Sequence, residues 1–437
     1  MHNKFILRHS INVALRLMVF ATFLLSFGWV SPSRHVFADG GSFKPGEVIV
    51  KLDPLTGAKI EDINATYGTT TLKSLDILPD IYLLELPSGR DAHIASENMG
   101  LDTRLDFAEP NFISQAPEAN PRGTSRWSGL DPAPYVSQYA DSLIHLNQVS
   151  SISRGTGSVV AVLDTGVQLD HPALSSNLTI VQYDFIDGDT VPEDIFSFVD
   201  SNGNGLVDEA TGHGTHVAGV IHLVAPEARI MPLRVLDSNG DGDIFTLAEA
   251  MVFAIKNGAN VINLSLGTQD KSDMLKDVVR EATRNGVVVV AAAGNLNSKE
   301  AQYPAADNCA LSVTSVGPLG VKSDFANFDA KVDFAAPGES IYSAFPKDGY
   351  ASWSGTSMAT PFVAGQAALI HSLSPALNPQ DIANIMGETS HSLDPLNPQY
   401  AGKLGMGLID IEGSLEFPIN VTLPIANHGL IGASCIK

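Results

Sequence analysis

Val159-Val-Ala-Val-Leu-Asp164-Thr-Gly166 is the stretch that decides the fold, because five apolar residues run without a break into an aspartate. A run that is apolar on both faces is typical of a strand buried within a parallel sheet. Ligands of open α/β sheets gather beyond the carboxyl ends of the strands, which is where Asp164 stands. The segment therefore predicts an α/β protein with Asp164 at the edge of the sheet that carries the site.

Between residues 135 and 417, similar apolar runs alternate with helix-compatible stretches. Strands are predicted at 159–164, 180–186, 229–236, 261–266, 287–293 and 310–316, and helices at 245–257, 273–285, 358–373 and 379–388. Gly258 and Gly286 stand where helix C-caps belong, and each is followed by a buried strand. The alternation predicts a mostly parallel sheet with helices on both faces.

Two further motifs carry a histidine and a serine. They are Gly212-His213-Gly-Thr-His-Val-Ala-Gly219 and Gly355-Thr-Ser357-Met-Ala-Thr-Pro361, and in each a glycine-flanked loop passes into a helix of small residues. A serine hydroxyl is a weak nucleophile until a histidine removes its proton, and that histidine needs a carboxylate to hold its tautomer. The order Asp164, His213, Ser357 excludes the chymotrypsin and α/β-hydrolase arrangements.

Each motif alone has another explanation. Asp164-Thr-Gly also suits an aspartic protease, but that class needs two such aspartates and the sequence shows no second Asp-Thr-Gly or Asp-Ser-Gly. Asp164 can also cap a turn, and the Ser-Gly-Thr-Ser segment around Ser357 can simply cap a helix. The joint occurrence of the three motifs, in this order, is what makes nucleophilic hydrolysis the stronger interpretation.

With these motifs the chain resembles the subtilase family of serine endopeptidases. The resemblance implies that His213 is catalytic and His216 packs inside. It also implies that Asn295, which ends Val287-Val-Val-Val-Ala-Ala-Ala-Gly294-Asn295, stabilises the oxyanion of acyl transfer. A turn asparagine is the alternative at this position. Such chemistry requires no cofactor, and its substrates are polypeptides. The competing function is a catalytically inactive, subtilase-like binding or scaffold protein.

Substrate-binding residues follow from the same resemblance. Val261-Ile-Asn-Leu-Ser265-Leu266-Gly267 is similar to the family strand whose backbone pairs with the substrate peptide, a form of β-augmentation. Gly267 would leave room for the P1 side chain. Gln302 falls where the family places the floor of the P1 pocket. Ser265, Leu266, Gly267 and Gln302 are therefore the expected substrate contacts.

The chain divides into four predicted regions. Residues 1–38 read as a secretory signal peptide, with basic residues before an apolar run and a small-residue cleavage site, and an uncleaved anchor is the alternative. Residues 39–120 resemble subtilase propeptides, which chaperone folding and then block the cleft; a permanent N-terminal domain is the alternative. Residues 121–417 form the predicted catalytic domain and 418–437 a short tail. The stretch 115–127 is predicted to be an exposed linker in which the precursor cuts itself.

Charge and cysteine content limit the partners. A net charge of −22 argues against nucleic acid or an anionic membrane as the partner. After signal cleavage we expect a secreted monomer without a membrane segment. Export permits disulfides, but whether Cys309 and Cys435 pair is left open by the sequence, and two cysteines are too few for a structural zinc site.

Calcium is the expected metal, if any is held. The tight calcium site common in the family is expected to be absent, because the helix after His213 runs directly into Ala225-Pro226. The segment 200–209 is similar to the front half of an EF-hand loop, although Thr211 stands where the closing glutamate belongs. Its candidate calcium ligands are Asp200, Asn202, Asn204 and Asp208. The segment 237–243 is similar in composition, and there a solvated turn is the favoured interpretation.

Overall fold

The computed structural model describes residues 43–118, 126–329, 331–418, 429–432 and 435. These residues all fall within one compact unit. The predicted signal peptide and most of the predicted tail lie outside the described residues. Within the described ranges, no helix combines the length and the apolar character that crossing a membrane requires.

The N-terminal part is a small antiparallel sheet with two helices. Its elements are β1 (Phe43–Leu52), α1 (Ile60–Tyr67), β2 (Thr70–Ser74), β3 (Ile81–Glu85), α2 (Ala92–Met99) and β4 (Leu105–Gln115), with strand order β2-β3-β1-β4. Val48 and Val50 of β1 pack with Ile63 and Met99 of the two helices. Ile49, which points to the opposite face, joins the core of the larger part. Strand β1 is therefore buried on both faces, whereas β2 at the edge of the sheet is mostly exposed.

The larger part is built on a seven-stranded sheet in which every pairing is parallel, in the order β13-β12-β11-β10-β6-β8-β7. The strands of this part are β5 (Arg126–Gly129), β6 (Val159–Asp164), β7 (Tyr183–Asp184), β8 (Arg229–Arg234), β9 (Asp241–Asp243), β10 (Val261–Leu264), β11 (Val288–Ala292), β12 (Leu311–Val316), β13 (Phe334–Pro337), β14 (Ile341–Phe345) and β15 (Gly349–Trp353). The predicted fold class is confirmed, and the central strands begin and end close to their predicted limits.

The strand predicted at 180–186 is wrong in length, because only Tyr183–Asp184 pairs with β8. This strand lies at the edge of the sheet, where Ile180 is 97% exposed. The carboxylate of Asp184 then accepts hydrogen bonds from the amides of Ile186 and Asp187, which turns the chain away from the sheet.

Two pairs of helices flank the sheet. The helices of this part are α3 (Ala133–Val136), α4 (Tyr139–Leu143), α5 (His213–Val224), α6 (Ile244–Lys256), α7 (Asp273–Arg284), α8 (Thr356–Leu373), α9 (Pro379–Thr389) and α10 (Ile411–Glu416). Helix α5 packs on α8, and α6 packs on α7. A Cβ atom at Gly365 of α8 would lie 2.6 Å from Val224 Cβ of α5. The absent side chain lets the helices that carry His213 and Ser357 approach each other closely.

The two parts share a sheet edge. Strand β4 pairs antiparallel with β9, so β9 forms the fifth strand of the N-terminal sheet. The chain that follows β4 stays buried, since Ala116 and Glu118 are 2% and 5% exposed. Arg126–Gly129 then forms β5, which pairs with β15. The prediction of an exposed linker is therefore wrong for Ala116 and Glu118, which tertiary contacts cover, whereas Arg126 and Trp127 are exposed although they pair with β15.

The two cysteines are bonded to each other. Cys309 lies just before β12 and Cys435 in the C-terminal segment, and their Cα atoms are 5.6 Å apart. The amide of Gly432 donates to the carbonyl of Asn308 at 3.0 Å beside this disulfide. The pairing that the sequence left open is thus present, and it fixes the C-terminal segment to the larger part.

Candidate active site

Asp164 ends the central strand β6 and is fully buried. Its Oδ1 accepts a hydrogen bond from the amide of Thr165 at 2.8 Å and one from Nδ1 of His213 at 2.7 Å. The carboxylate is therefore fixed by the backbone that follows the strand and points at the imidazole. This is the geometry that holds a histidine in one orientation and stabilises its protonated form.

His213 is the first residue of α5, and its position depends on a glycine and on a distant carboxylate. Gly212 has φ +91°, and a Cβ there would lie 2.3 Å from the ring of Phe345. Asp194 caps the helix by accepting from the amides of Gly212 and Thr215 at 2.9 and 3.1 Å. Burial raises the pKa of Asp194 to about 7, although these hydrogen bonds act to lower it. The sequence analysis missed Asp194, since no local pattern marks it.

Ser357 stands in the first turn of α8 and is fully buried. Its hydroxyl oxygen lies 3.1 Å from the carbonyl oxygen of Ser265, and the hydroxyl of Ser265 donates to the carbonyl of Ser357 at 2.9 Å. Ser265, predicted as a substrate contact, therefore also positions the backbone of the serine. The structure brings Asp164 into contact with His213, and His213 and Ser357 share a partner, the side chain of Glu118.

Asn295 follows β11 and has its side-chain amide oriented by Thr356. Its carbonyl oxygen accepts from the amide and the hydroxyl of Thr356 at 3.0 and 2.9 Å, which fixes the orientation of the NH₂ group. The sequence analysis did not assign this positioning role to Thr356. The amide group is thus held ready to donate to an anionic oxygen.

The side chain of Glu118 lies among these groups. Its Oε2 accepts from the hydroxyl of Ser357 at 2.5 Å and from Nε2 of His213 at 3.0 Å. Its Oε1 accepts from Nδ2 of Asn295 at 2.7 Å, and the amide of Ser357 lies 3.4 Å from the same oxygen. An anionic oxygen between these two donors stands in for the oxyanion of acyl transfer. Sequence reasoning missed Glu118, because it lies outside every motif.

The charge state of His213 follows from its two carboxylate neighbours. Burial alone would lower the pKa of His213, but Asp164 and Glu118 outweigh that effect and raise the pKa to about 10. The imidazole is therefore protonated at neutral pH in this state. Burial instead lowers the pKa of His216 to about 3, and its Nε2 donates to the carbonyl of Ile341 at 2.9 Å. His216 packs inside, as predicted.

The segment that leads to Glu118 pairs with the predicted substrate strand. Gln115 and Gly267 exchange backbone hydrogen bonds of 2.8 and 2.9 Å, and the amide of Ala116 donates to the carbonyl of Gly240 at 3.0 Å. The chain from residue 115 to 116 therefore lies between two backbone segments of the catalytic part. This is the arrangement of an added β-strand, as in peptide recognition.

Gln302, the predicted floor of the P1 pocket, lies next to Gly267. A Cβ at Gly267 would come within 2.7 Å of the Gln302 amide carbon, and Gln302 is 3% exposed. Its Nε2 donates to the carbonyl of Ala292 at 3.1 Å, so the amide is anchored to strand β11. Leu266, the remaining predicted contact, is fully buried in the core.

The two acidic loops touch each other. Asp200 accepts from the amide of Gly205 at 2.9 Å, and Asp208 accepts from the amide of Ser197 at 2.7 Å. Asn202 and Asn204 both direct their NH₂ groups at Glu209, at 3.3 and 2.7 Å. The loops meet where the hydroxyl of Ser201 donates to Asp237 at 2.6 Å.

The favoured interpretation of 237–243 as a solvated turn is wrong. Asn239 in this segment is fully buried. Asp241–Asp243 forms strand β9, and the side chain of Asp243 caps α6 through the amide of Thr246 at 2.9 Å. Pairing with β4, which lies far away in the sequence, converts the loop into a strand.

A parallel α/β sheet whose edge unites an aspartate, a histidine and a serine defines a serine peptidase of subtilisin-like fold. The chain belongs to the subtilase family, because its residues 155–407 match the family described as "Subtilase family". Residues 32–111 match the "Fervidolysin N-terminal prodomain". The predicted family and the predicted serine-type endopeptidase class are therefore confirmed.

Named relatives agree with this membership. The chain is 41% identical to thermitase of Thermoactinomyces vulgaris over 251 residues, which cover 55% of this chain and 84% of thermitase. It is 33% identical to the thermophilic serine proteinase of Bacillus sp. strain AK1 over 351 residues, covering 77% of this chain and 80% of the relative. The crystal structure of fervidolysin from Fervidobacterium pennivorans, a keratinolytic enzyme, shares the fold with a TM-score of 0.69 at 23% identity, and the match covers 87% of this chain and 62% of that one.

Proposed function

We propose that the chain is the precursor of a secreted serine endopeptidase that removes its own N-terminal part. In the processed enzyme, Ser357 Oγ attacks the scissile carbonyl carbon while His213 takes the hydroxyl proton, and the imidazolium then protonates the leaving amine. Asp164 orients His213, and Asn295 donates to the oxyanion. Water afterwards attacks the acyl group, and the same proton transfers release it from Ser357. The substrates are polypeptides, because the bond that is broken is a peptide bond.

One observation carries this proposal: the chain before Glu118 is paired with Gly267 as a peptide substrate would be, and it delivers Glu118 to the triad. A bound strand that ends at the nucleophile is the expected arrangement for a precursor that is cut there and then inhibits its own enzyme. We infer that the processed bond lies close to Glu118. The propeptide, predicted at 39–120, is accordingly an intramolecular inhibitor, and 121–417 is the catalytic domain.

The inhibited state has a chemical basis in the same contacts. An imidazole that already carries two protons cannot accept a third from Ser357, and the pKa of His213 is about 10 while Glu118 is in place. The Glu118 carboxylate also uses the NH₂ group of Asn295. When the segment that carries Glu118 leaves, His213 and Asn295 both lose this partner. Among the described residues, Asp164 is then the one carboxylate that contacts His213.

Secretion is supported by the predicted signal peptide at 1–38 and by the Cys309–Cys435 disulfide, which suits an oxidising compartment. Subtilases need no cofactor for the chemistry. We further propose a structural calcium ion at the loop 200–209, because its carboxylate and amide oxygens are the ligands that calcium prefers.

The test of the proposed function is self-processing. The Ser357→Ala precursor is expected to fold and to remain uncleaved, whereas the parent loses its first hundred or so residues, with the new N-terminus between Gln115 and Tyr135. Mass spectrometry and N-terminal sequencing of both purified proteins measure this. Ser176→Ala, an exposed serine outside the site, is the matched control and should process normally.

A second measurement separates the peptidase from an inactive scaffold. A fluorophosphonate probe should label the processed parent at Ser357 and should not label the Ser357→Ala variant. Absence of labelling in the processed parent, or cleavage of the purified Ser357→Ala precursor with no other protease present, would refute the proposal.

A further inference from the structure

Two histidines and an aspartate meet on the surface of the catalytic part, away from the triad. Nδ1 of His145 lies 3.1 Å from Oδ2 of Asp410, and Nε2 of His391 lies 2.9 Å from the same oxygen. All three ligand atoms lie within 4.8 Å of one another. The rings of the two histidines are nearly perpendicular, with an interplanar angle of 82°, so both nitrogens converge without stacking. We call these residues the His–His–Asp cluster.

The backbone holds the three residues together independently of their side chains. The amide of Ile411, next to Asp410, donates to the carbonyl of Ile144, next to His145, at 3.0 Å. His391 and Leu408 exchange two backbone hydrogen bonds, each of 2.8 Å. The positions of the ligands are therefore set by the fold, which is what preorganises a metal site.

One carboxylate oxygen of Asp410 is fixed by the backbone, and the other faces the two histidines. Oδ1 of Asp410 caps α10 by accepting from the amide of Gly413 at 2.9 Å, and this bond directs Oδ2 at the histidines. Oδ2 is therefore the carboxylate oxygen that the geometry offers to an ion.

The surroundings leave an ion a route to the cluster. The side chains of His145 and His391 are 48% and 59% exposed, whereas that of Asp410 is 11% exposed. His145 also has φ +53°, a left-handed conformation that is uncommon for residues other than glycine. Two imidazole nitrogens and one carboxylate oxygen are a ligand set that selects transition metals over calcium.

We propose that the His–His–Asp cluster is a binding site for one transition-metal ion, Zn²⁺ in the first instance, with water completing the tetrahedron. The ion would replace the two imidazole–carboxylate hydrogen bonds, and each neutral imidazole would carry its proton on the other nitrogen. Its effect is structural. It would join the segment before the turn at Leu146–Ser151 to the N-terminus of α10, whose Asp410 carbonyl accepts from Gln366 of the serine-bearing helix α8 at 3.0 Å.

The test measures zinc binding to the Ser357→Ala precursor, purified without a histidine tag and first stripped with a chelator. Isothermal titration should show one bound Zn²⁺ per chain, and Co²⁺ at the same site should give the intense visible bands of a tetrahedral ion. His145→Ala, His391→Ala and Asp410→Asn should each weaken binding by more than the roughly 10–100-fold that loss of an outer hydrogen-bond partner costs. Asn at 410 can still cap α10, so this variant removes the ligand and keeps the helix.

His93→Ala is the matched control, because His93 is an exposed histidine that lies 3.5 Å from Glu97 without a third ligand in the described structure. This variant should bind zinc as the parent does. In the presence of the chelator, the cluster variants should melt close to the parent, and only the parent and the control should gain melting temperature with Zn²⁺.

Anomalous scattering at the zinc edge from crystals of the unmodified precursor gives an answer that does not depend on variants. An anomalous peak within bonding distance of His145 and His391 supports the site. No zinc binding, zinc located elsewhere, or binding that survives all three cluster substitutions would overturn the proposal. It does not rest on the proposed peptidase function, since none of these readouts is activity.

Discussion

Replacing Glu118 by glutamine tests how the carboxylate in the active site acts. The substitution keeps the size of the side chain and removes its charge. The pKa of His213 is about 10, against 6.5 for an unperturbed imidazole. That difference corresponds to about 5 kcal/mol in favour of the imidazolium in the folded state. Asp164 contributes more than Glu118 to this rise, and a hydrogen bond to a charged group is worth about 1.5–3 kcal/mol, so we take about 2 kcal/mol as the contribution of Glu118.

The direction of the pH dependence follows from the direction of this pKa change. A histidine whose pKa is higher in the folded state contributes stability that is fully present below pH 6.5 and is lost as the pH rises through about 10. The charged partner Glu118 is therefore worth most at the acidic end of this window. We expect Glu118→Gln to lower the free energy of unfolding by about 2 kcal/mol more at pH 6 than at pH 10.

The assay is urea unfolding of the Ser357→Ala precursor, with and without Glu118→Gln, followed by tryptophan fluorescence at several pH values. The Ser357→Ala background prevents self-cleavage during the measurement. Glu61→Gln, which changes an exposed glutamate on α1, is the control and should show no such pH dependence. A destabilisation by Glu118→Gln of equal size at pH 6 and pH 10 would show that the charge of Glu118 does not act on His213.

Three further outcomes are expected. Asn295→Ala should lower kcat of the processed enzyme on a peptide substrate by about 10²–10³ with little change in KM, because an oxyanion donor acts mainly in the transition state; a raised KM at constant kcat would indicate ground-state binding. Gln302→Gly, which removes the side chain beside Gly267, should broaden the acceptance of large apolar P1 residues in a peptide library, and an unchanged profile would remove Gln302 from the pocket. Calcium should stabilise the Ser357→Ala precursor by about 2.7 kcal/mol at a hundredfold excess over Kd, and its melting temperature should rise accordingly. Asp200→Ala combined with Asp208→Ala should abolish this rise, and melting that ignores both calcium and chelator would make the loop an ordinary turn.

The central strands could be predicted from the sequence because each is a run of consecutive apolar residues, which indicates burial on both faces. Strand β6 begins and ends where its apolar run does, at Val159–Asp164. The edge strand at Tyr183–Asp184 could not be placed in this way, since one of its sides has no neighbouring strand. Strand β9 was missed for a related reason: Asp241–Asp243 has no strand-like composition and pairs only because β4 is beside it.

The same distinction separates the residues of the candidate site that could be predicted from those that could not. Four residues of the site lie in short motifs in which a strand ends or a helix begins next to a glycine: Asp164, His213, Ser357 and Asn295. Such motifs can be recognised in a single sequence. Glu118 is 239 residues from Ser357 and reaches it only through the docking of the N-terminal part. Asp194, which caps α5 from another loop, is equally invisible to local patterns. Residues whose partners are distant in the sequence are therefore the ones that could not be identified from it.

The hold of the N-terminal part on the catalytic part need not come mainly from Glu118. A buried carboxylate loses several kcal/mol of hydration, and its hydrogen bonds return an amount of similar size. The backbone pairing of β4 with β9 and the hydrogen bonds that Glu109 makes at α7 also hold the two parts together. Glu109 accepts from the amides of Asp273 and Met274 at 2.8 and 3.2 Å, at the positive end of α7.

Glu109 and the His213–Glu118 contact respond to pH in the same direction. Burial raises the pKa of Glu109 to about 7, although its hydrogen bonds act to lower it. An acid whose pKa is raised in the folded state contributes most below its unfolded value of about 4.5, and that contribution is lost as the pH rises through about 7. The ion pair between His213 and Glu118 is lost as the pH rises through about 10, where His213 gives up its proton. Alkaline conditions therefore weaken both contacts, and we expect the N-terminal part to be released more readily as the pH rises.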